Sequence, residues 1–377
     1  MRNNYRSVLE ILRARLEEGV YGKSTLMPAE EILAAEFGVS RPTIAKVYGS
    51  LIDEGLIARR RGVGTIVLES GRQQHACRFG MLLPGAGESE IFSEINSEIM
   101  NIAQQQGFDC EWGGATTNNA ETRHFLAVAN CERYIEMGID GVFFSPLEKV
   151  QDADRINKEI CRMMDDAGVP IVLIDRDIVA MPERSRYDVV GLDNYTAGTV
   201  MARHMIAAGC RNIYFFNTPF SAHSVDERLM AVKNAVTEAG LDFFRDSHVC
   251  CNPGKGDVIE QIAIIRGQTG IICANDSTAV ILMSTLEEQG YRCGVDYLIS
   301  GFDNMKYSLY LKTPLTTYSQ PCKEIARLSV EMMMRRVKEK EQRGVDNASL
   351  PVKVLLNGEI AARESTRFLK NKQQDTV

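Results

Sequence analysis

The sequence has no long apolar run, which argues against an integral membrane protein. A transmembrane helix needs about 20 mostly apolar residues, and no comparable stretch occurs among the 377 residues of the chain. The chain begins with Met1 to Tyr5 and passes straight into an amphipathic helix, without the apolar core of a signal peptide. We therefore expect a cytoplasmic protein that has no membrane partner.

Metal-binding and redox motifs are missing as well. The ten cysteines form no Cys-x-x-Cys pair, and several of them, such as Cys161, Cys210 and Cys273, lie in apolar segments. We interpret them as reduced thiols that pack as small hydrophobic side chains. The five histidines show no spacing typical of metal ligands, so we expect no structural metal.

The sequence also has none of the arrangements that carry common enzyme chemistry. There is no Gly-x-Ser-x-Gly nucleophile elbow and no pairing of His with Asp at the ends of the predicted strands. No lysine lies in the phosphate-binding context that a pyridoxal phosphate enzyme needs. The sequence therefore predicts a protein that is not an enzyme and that has no catalytic residues and no cofactor.

Composition and charge, by contrast, are those of a globular protein with an uneven charge distribution. Hydrophobic residues make up 45% and charged residues 25% of the chain, and its 377 residues are enough for two or three domains. The net charge is −7, yet residues 1–72 contain 11 Lys and Arg against 9 Asp and Glu. A slightly positive head on an acidic body is typical of a DNA-binding module joined to another domain.

Residues 34–67 have the pattern of a helix, a tight turn, a second helix and a small hairpin. Gly38 supplies the backbone freedom that a tight turn between helices needs, and Ser40 is a good N-cap for the second helix. The apolar face of the second helix is predicted to carry Ile44, Val47, Tyr48, Leu51 and Ile52. This arrangement is the sequence signature of a helix-turn-helix DNA reader.

Candidate DNA contacts flank the apolar face and continue into the hairpin. Residues 56–67 predict a strand, a basic tip that contains glycine and a second strand, which together form a wing. The three arginines of the tip could be a merely solvated charge run, but beside a helix-turn-helix they favour phosphate contact. The candidates on the pattern alone are Arg41, Thr43, Lys46, Arg60 and Arg61.

From residue 78 the sequence alternates between amphipathic helices and short apolar strands. A glycine ends many of these helices, where the left-handed C′ conformation carries no Cβ penalty. These glycines are Gly107, Gly138, Gly168, Gly209 and Gly290. The strands that follow, such as 141–144, 171–174 and 271–274, are continuously apolar, which indicates burial on both faces in parallel sheets covered by helices.

The alternating units are too numerous for one sheet, so we predict an α/β body of two doubly wound parallel-sheet lobes behind an α+β winged head. The predicted segments are the head at 1–68, a linker at 69–77, the body at 78–369 and a tail at 370–377. Lobe 1 is expected to comprise about 78–180 and 322–345, and lobe 2 about 186–318 and 350–369. Two such lobes leave a cleft at the carboxyl ends of their strands, where open α/β sheets bind ligands.

Polar side chains follow several predicted strands at the edge that would face this cleft. Carboxylate, amide and guanidinium groups can form paired hydrogen bonds with vicinal hydroxyls, as a sugar requires. The candidates are Asp175, Arg176, Asn275, Asp303 and Gln320, with Phe92 and Trp112 as rings that could cover a sugar face. Asp175 and Arg176 could instead pair with each other. We interpret Asp193 and Asn194 as helix-capping residues, and Asp276 could cap the helix that follows it.

The head resembles the winged helix-turn-helix of the GntR family of bacterial transcription regulators over about residues 4–68. The matching segments are Met27-Pro28-Ala29-Glu30, Phe37-Gly38-Val39-Ser40-Arg41-Pro42-Thr43, 51–57 and 60–65. The resemblance implies DNA contacts by Ser40, Arg41, Thr43, Gly62 and Gly64. Glu31 and Ala45 depart from the family pattern, because many relatives have a DNA-contacting arginine at each of these positions.

The body resembles the effector domain of LacI/GalR regulators, which share the fold of periplasmic sugar-binding proteins. The matching segments are 191–198, 227–231, 274–276, 300–304, 315–320 and 363–366. The resemblance implies that the effector is bound by Asp175, Arg176, Arg228, Asn275, Asp303 and Gln320. A GntR head on such a body resembles the AraR type of arabinose-responsive repressors.

The sequence therefore predicts a homodimeric transcription regulator, a repressor, whose affinity for double-stranded operator DNA changes when a small sugar binds between the lobes. Arabinose or another monosaccharide is the expected effector. The same architecture could instead respond to a nucleobase or a sugar phosphate, or could act as an activator. An aminotransferase-like enzyme and a sugar transport receptor are weaker alternatives. The sequence lacks the lysine in a phosphate-binding context that the enzyme would need, and a transport receptor would not need a DNA-binding head.

Overall fold

The computed structural model of the chain describes residues 5–17, 20–21, 26–60, 63–67, 77–84, 90–113, 120–343 and 349–368. Contacts between residues divide the chain into two compact units, residues 1–77 and residues 78–377. The predicted linker, apart from Cys77, and the predicted tail at 370–377 lie outside the described residues.

The N-terminal unit is a winged helix-turn-helix, as predicted. Its elements are α1 (Tyr5–Glu17), α2 (Glu30–Phe37), α3 (Arg41–Asp53), β1 (Ile57–Arg60) and β2 (Gly64–Val67). The two strands form an antiparallel hairpin in which Ile57 pairs with Val67 and Arg60 pairs with Gly64. The turn between α2 and α3 lies at Gly38, whose φ of 65° is in the left-handed region that favours glycine.

One apolar core holds these helices and the hairpin together. The predicted face of α3 is confirmed, since Ile44, Val47, Tyr48 and Leu51 are buried and Ile52 packs against the same core. These side chains meet apolar residues of α1, α2 and β1. Ser40 occupies the N-cap position of α3, but its hydroxyl hydrogen-bonds with the Thr43 hydroxyl at 2.8 Å rather than with a backbone amide.

The first lobe of the C-terminal unit is a six-stranded parallel sheet covered by helices. Its strands are β3 (Arg78–Leu82), β4 (Asp109–Trp112), β5 (Gly141–Phe144), β6 (Ile171–Ile174), β7 (Asp188–Leu192) and β13 (Lys353–Leu356). Their order across the sheet is β13-β7-β6-β5-β3-β4. The helices are α4 (Glu90–Gln106), α5 (Ala120–Glu136), α6 (Ala153–Asp166) and α10 (Cys322–Arg343), and α10 packs against α4 and the central strands.

The second lobe is a six-stranded sheet in which one edge strand is antiparallel. Its strands are β8 (Asn212–Asn217), β9 (His248–Cys250), β10 (Thr269–Cys273), β11 (Tyr297–Phe302), β12 (Thr316–Ser319) and β14 (Glu359–Ala361). Their order is β14-β12-β11-β10-β8-β9, and β14 runs antiparallel to β12. The helices are α7 (Asn194–Ala207), α8 (His223–Glu238) and α9 (Asp276–Glu288). Together the two lobes confirm the predicted pair of doubly wound sheets.

The predicted boundaries of the lobes need correction. Residues 188–192 and 353–356 were expected in lobe 2, but β7 and β13 complete the sheet of lobe 1. The two strands pair in parallel, with Leu192 opposite Leu356, and the chain passes to lobe 2 after each of them has ended. Of the C-terminal segment, β14 belongs to lobe 2, where it pairs with β12.

The recurring unit of helix, glycine and apolar strand is confirmed. The five predicted glycines, Gly107, Gly138, Gly168, Gly209 and Gly290, all have positive φ. The strands that follow are buried throughout in β5, β6 and β10. Burial on both faces is the arrangement that their continuous apolarity predicted. The carboxyl ends of these strands therefore lie at the edge where the two lobes meet.

Candidate functional site

A cavity of about 170 Å³ lies between the two lobes, at the carboxyl ends of their strands. Lobe 1 contributes residues that follow β3, β5 and β6, and lobe 2 contributes residues from the ends of β10, β11 and β12 and from the first turns of α8. The predicted residues that the structure brings together here are Phe92, Asp175, Arg176, Arg228, Asn275, Asp303 and Gln320. The arrangement matches the position at which open α/β sheets bind ligands.

Arg176 is held in place on the lobe 1 side before any ligand arrives. Its Nε donates to the carbonyl of Pro146 at 3.0 Å, and its Nη1 lies 3.2 Å from Glu148 Oε2 and 3.4 Å from Asp175 Oδ2. Because guanidinium carries five N–H donors in a rigid fork, further donors remain for a ligand. Arg176 and Asp175 thus do pair with each other, as the sequence allowed, and they still line the cavity.

The two acids beside Arg176 respond differently to the same guanidinium. Burial raises the pKa of Asp175, although Arg176 and Arg228 oppose the shift. Burial would raise the pKa of Glu148 too, but the charges of Arg176 and Lys149 outweigh it and hold the pKa of Glu148 below its usual value. Glu148 is therefore the main counterion of Arg176, and Asp175 is the more weakly compensated acid of the pair.

Arg228 has the corresponding place on the lobe 2 side. Its Nε donates to Asn194 Oδ1 at 2.8 Å, its Nη1 donates to the carbonyl of Ala274 at 2.6 Å, and its guanidinium lies 4.4 Å from the centre of the Phe302 ring. These contacts fix the direction of a buried side chain on the second turn of α8. A planar cation that is already oriented can bind hydroxyl oxygens of a ligand with little further ordering.

Asp303 and Gln320 form a hydrogen-bonded pair at the ends of β11 and β12. Gln320 Nε2 donates to Asp303 Oδ1 at 2.8 Å, which leaves Gln320 Oε1 as a buried acceptor with no partner among the described residues. Burial raises the pKa of Asp303 to about 6, although Arg228 and Gln320 oppose the shift. A buried acceptor without a donor costs about 1–3 kcal/mol, so this end of the cavity is suited to a ligand that donates a hydrogen bond.

Two acids of the site lie in backbone conformations that L-residues seldom adopt. Asp175 has a φ of 76° and Asp303 has a φ of 106°. Such conformations cost of order 1–3 kcal/mol and persist where the surroundings fix them, often at ligand sites. Each acid follows the last residue of its strand directly, so the unusual turn directs the side chain toward the cleft instead of along the sheet.

The structure places Asn275, rather than Asp276, at the cap of α9. Asn275 lines the cavity but also caps α9, since its Oδ1 accepts from the Thr278 amide at 2.9 Å. Asp276 was expected at the cap, but it is the first residue of α9, fully buried, and accepts from the Met305 amide at 2.9 Å. Asp193 caps α7 as predicted, by accepting from the Thr196 amide at 2.8 Å.

Of the two predicted aromatic contacts, the structure places one at the cavity. Phe92, on the first turn of α4, is buried and lines it. Trp112 does not line the cavity, because β4 is the edge strand of lobe 1 and its carboxyl end lies beside β3 rather than over the central strands. Trp112 is therefore withdrawn as a candidate ligand contact.

Glu148 and Asn194 are among the residues of the site that were missed at the level of sequence. Glu148 lies four residues after β5, and its polarity alone gave no sign that it would face Arg176. Asn194 was predicted to cap a helix, but it is buried, donates to the Leu192 carbonyl and holds the Arg228 guanidinium. The available signal was the polar segment that follows β5, which resembles the polar segments after β6, β10 and β11.

Contacts on one rim of the cleft join the lobes directly. The amide of Lys149 in lobe 1 donates to the carbonyl of Phe220 in lobe 2 at 2.9 Å. His223 Nε2, at the start of α8, lies 3.0 Å from Asp154 Oδ1 on the first turn of α6. The cavity is thus closed on this side by contacts that would have to break if the lobes moved apart.

Several candidate DNA contacts of the N-terminal unit are exposed side chains. Arg41, the first residue of α3, makes ion pairs with Glu30 (3.2 Å) and Glu31 (2.8 Å). Arg59 of β1 pairs with the same Glu30 at 2.7 Å. Lys46 is exposed and its Nζ lies 5.1 Å from the centre of the Tyr5 ring.

The remaining candidates belong to the helix start and the wing. Ser40 is exposed and Thr43 is half-buried, and their hydroxyls bond each other. Arg60 ends β1 opposite Gly64, whose φ of 121° few other residues adopt. The predicted contacts Arg61 and Gly62 lie outside the described residues.

Within the ranges that the structure describes, no helix is both long and apolar enough to span a membrane. Across the same part of the chain, no group of three or more His, Cys, Asp and Glu residues is arranged to hold a metal ion.

Comparison with known families gives one match in each of the two units of the chain. Residues 4–67 match the family described as bacterial regulatory proteins, gntR family. Residues 202–366 match the family described as periplasmic binding protein-like domain. The first match covers the winged helix-turn-helix, and the second covers lobe 2 from within α7 onward together with α10 and the C-terminal strands.

Relatives and solved structures agree with these matches. A protein of Vibrio campbellii named HTH-type transcriptional repressor PurR is 25% identical over 259 residues, which cover 67% of this chain and 72% of that protein. The structure of the transcriptional regulator CelR–cellobiose complex aligns with a TM-score of 0.63 at 18% identity, over 90% of this chain and 100% of that one. The lac repressor dimer bound to operator and the anti-inducer ONPF aligns with a TM-score of 0.60 at 17% identity, over 78% of this chain and 96% of that one.

Proposed function

We propose that this transcription regulator, in which a GntR-type DNA-binding domain precedes a periplasmic-binding-protein-like effector domain, is a repressor controlled by a monosaccharide. The observation that carries the proposal is the cavity between the lobes, where oriented guanidinium, carboxylate and amide groups meet. Vicinal hydroxyls both donate and accept, and these groups offer both functions within one small volume.

The balance of charge favours a neutral ligand over a sugar phosphate. Among the described residues, the charged side chains that line the cavity are Glu148, Lys149, Asp175, Arg176, Arg228 and Asp303. Acids and bases are equal in number, and Arg176 is already paired with two of the acids. A phosphate would have to enter beside three carboxylates, which like-charge repulsion opposes.

The size and one wall of the cavity favour a single sugar ring. Its volume of about 170 Å³ is below the roughly 300–1,000 Å³ of sites for drug-sized ligands. Phe92 supplies an apolar wall that can cover the C–H face of a pyranose or furanose. Gln320 Oε1 can accept a hydrogen bond from a hydroxyl, since it has no donor among the described residues.

We assign the proposed contacts accordingly. Effector is bound by Phe92, Asp175, Arg176, Arg228, Asn275, Asp303 and Gln320, to which the structure adds Glu148 as the partner of Arg176. DNA is contacted by Ser40, Arg41, Thr43, Lys46, Arg60, Arg61, Gly62 and Gly64. The recognition helix α3 enters the major groove from its N-terminus, and the wing holds the adjacent backbone.

The regulator acts as a homodimer in this proposal. Two heads would bind half-sites about 34 Å or a multiple of this distance apart, so their separation decides operator affinity. Binding of sugar favours one degree of closure of the lobes, and the change of closure alters that separation. The lac repressor, whose body has the same fold, is a dimer on its operator, and CelR holds cellobiose.

A thermal-shift screen tests the ligand class. Full-length protein is heated with pentoses, hexoses, free nucleobases and sugar phosphates, and a monosaccharide present at 100 times its dissociation constant should stabilise the fold by about 2.7 kcal/mol. The Arg228→Gln variant should lose this response. If only nucleobases, or only sugar phosphates, raise the unfolding temperature, that ligand class replaces the monosaccharide as the proposed effector. A reporter assay with and without the ligand distinguishes repression from activation.

A further inference from the structure

One carboxylate of the N-terminal unit joins arginines from two different DNA-facing elements. Glu30 Oε2 accepts from Arg41 Nε of the recognition helix at 3.2 Å, and Glu30 Oε1 accepts from Arg59 Nη2 of the wing strand at 2.7 Å. Both oxygens of this single side chain are therefore occupied, one by each guanidinium. The pairing ties the direction of Arg41 to the direction of Arg59.

The burial of Glu30 shows that it supports the arginines from beneath. Its side chain is 18% exposed, whereas the side chains of Arg41 and Arg59 are 63% and 61% exposed. Arg41 uses its inner Nε for Glu30, and Arg59 uses one terminal nitrogen, so each guanidinium keeps outward N–H donors. A DNA phosphate can bind these donors while both contacts with Glu30 remain intact.

The neighbouring acid, Glu31, is placed differently. Its side chain is 59% exposed, and Oε1 lies 2.8 Å from the terminal Nη1 of Arg41. It therefore occupies part of the outward edge of the guanidinium, where a phosphate or a base would bind. Since DNA carries negative charge along its whole surface, bound DNA would have to displace this carboxylate.

We propose that Glu30 is a positioning residue for DNA binding and that Glu31 competes with DNA for Arg41. The first holds two guanidinium groups in register with the phosphate backbone, and the second lowers affinity until DNA removes it from Arg41. Two adjacent acids with the same charge thus have opposite effects on DNA binding. The proposal rests on phosphate contact by Arg41 and Arg59, which the experiment tests separately.

The variants Glu30→Gln and Glu31→Gln form a matched pair. Each removes one negative charge with nearly no change of shape, and each acid lies in the first turn of α2, so the loss of helix-dipole stabilisation is the same. General electrostatics therefore predicts that both variants bind DNA more tightly by the same factor. If Glu30 positions the two arginines, Glu30→Gln should weaken DNA binding while Glu31→Gln strengthens it.

The measurement is a salt titration of full-length protein binding to a labelled mixed-sequence DNA duplex. Glu30→Gln should bind about 5–10-fold more weakly than wild type, and the slope of log K against log salt should shrink by about 1–2 because phosphate contacts are lost. Glu31→Gln should bind about 2–5-fold more tightly with no smaller slope. Equal or tighter binding by Glu30→Gln, or no gain with Glu31→Gln, overturns the proposal.

A double-mutant cycle shows whether Glu30 acts through its two partners. In an Arg41→Gln/Arg59→Gln background, Glu30→Gln should have no further effect on affinity or slope. The same loss in that background would mean that Glu30 supports the fold alone, which a lower unfolding temperature of Glu30→Gln would also indicate. If the Arg41→Gln/Arg59→Gln variant binds DNA as wild type does, the phosphate contacts themselves are wrong.

Discussion

The cleft and the exposed surface around Arg41 on the head both contain arginine–carboxylate pairs, but they bury these pairs to very different degrees. The side chain of Arg176 in the cleft is 9% exposed, and that of Arg41 on the head is 63% exposed. A buried charge must be compensated before a ligand arrives, because an unpaired one costs several kcal/mol. An exposed pair contributes less than about 1 kcal/mol and can exchange its partner for a phosphate. The same chemistry therefore gives a preformed site in one region and an exchangeable one in the other.

The largest expected effect separates the two regions as folding units. Leu51→Ala deletes a fully buried side chain of α3, and such substitutions cost about 2–5 kcal/mol. Because the chain divides at residue 77, calorimetry should show a lower transition for the head and an unchanged transition for the body. If both transitions fell together, the two regions would be one cooperative unit and the comparison would lose its basis.

The next effect compares an arginine from each region. Arg228→Ala leaves the acceptors of Asn194 and Ala274 without a donor, and at about 1–3 kcal/mol each the free energy of unfolding should fall by roughly 3 kcal/mol.

Arg41→Ala is the matched control on the head. It should change the free energy of unfolding by less than about 1 kcal/mol but weaken binding to DNA. Denaturant unfolding measures the stability of both variants, and DNA titration measures their affinity for DNA. Equal losses of stability would contradict the difference in burial that separates the two regions.

A smaller effect concerns the pH dependence of the cleft. Burial, together with the charge of Asp303, raises the pKa of Asp276 to about 8. A carboxyl whose pKa is higher in the folded state contributes stability at low pH that is lost as the pH rises from about 4 through about 8.

Asp276→Asn should remove this dependence, so that its stability relative to wild type increases with pH, by up to about 2 kcal/mol. Unfolding temperatures across this pH range test the prediction, with Asp166→Asn on the exposed side of α6 as the control. A constant difference between Asp276→Asn and wild type at all pH values would rule out ionisation of Asp276 as the cause.

Features with a local cause could be predicted from the sequence. Gly38 determines the turn of the head, and glycines such as Gly209 end helices, because each acts through its own backbone angles. Likewise, residues that directly follow a buried strand reached the cleft, as Asp175 and Asp303 did. For these residues, a place directly after a buried strand in the sequence is also a place at the cleft edge of the sheet.

Features that depend on distant parts of the chain could not be predicted in this way. The strands at 188–192 and 353–356 were both assigned to lobe 2, but β7 pairs with β6 of lobe 1 and β13 pairs with β7, and the sheet that a strand joins is not visible in a local pattern. Trp112 ends a strand just as Asp175 follows one, but β4 is an edge strand, and strand order is not visible in a local pattern. Asn275 rather than Asp276 caps α9, because the helix begins one residue earlier than the capping pattern suggested.

The most direct test of the account is the affinity of the full chain for its operator, with and without the monosaccharide that the thermal-shift screen identifies. An operator selected from a random DNA pool serves as the probe, and wild type is compared with Arg228→Gln. We expect the sugar to weaken operator binding by wild type about 5–150-fold and to leave Arg228→Gln unaffected. A sugar that stabilises the protein but leaves its operator affinity unchanged would contradict the coupling between cleft and DNA.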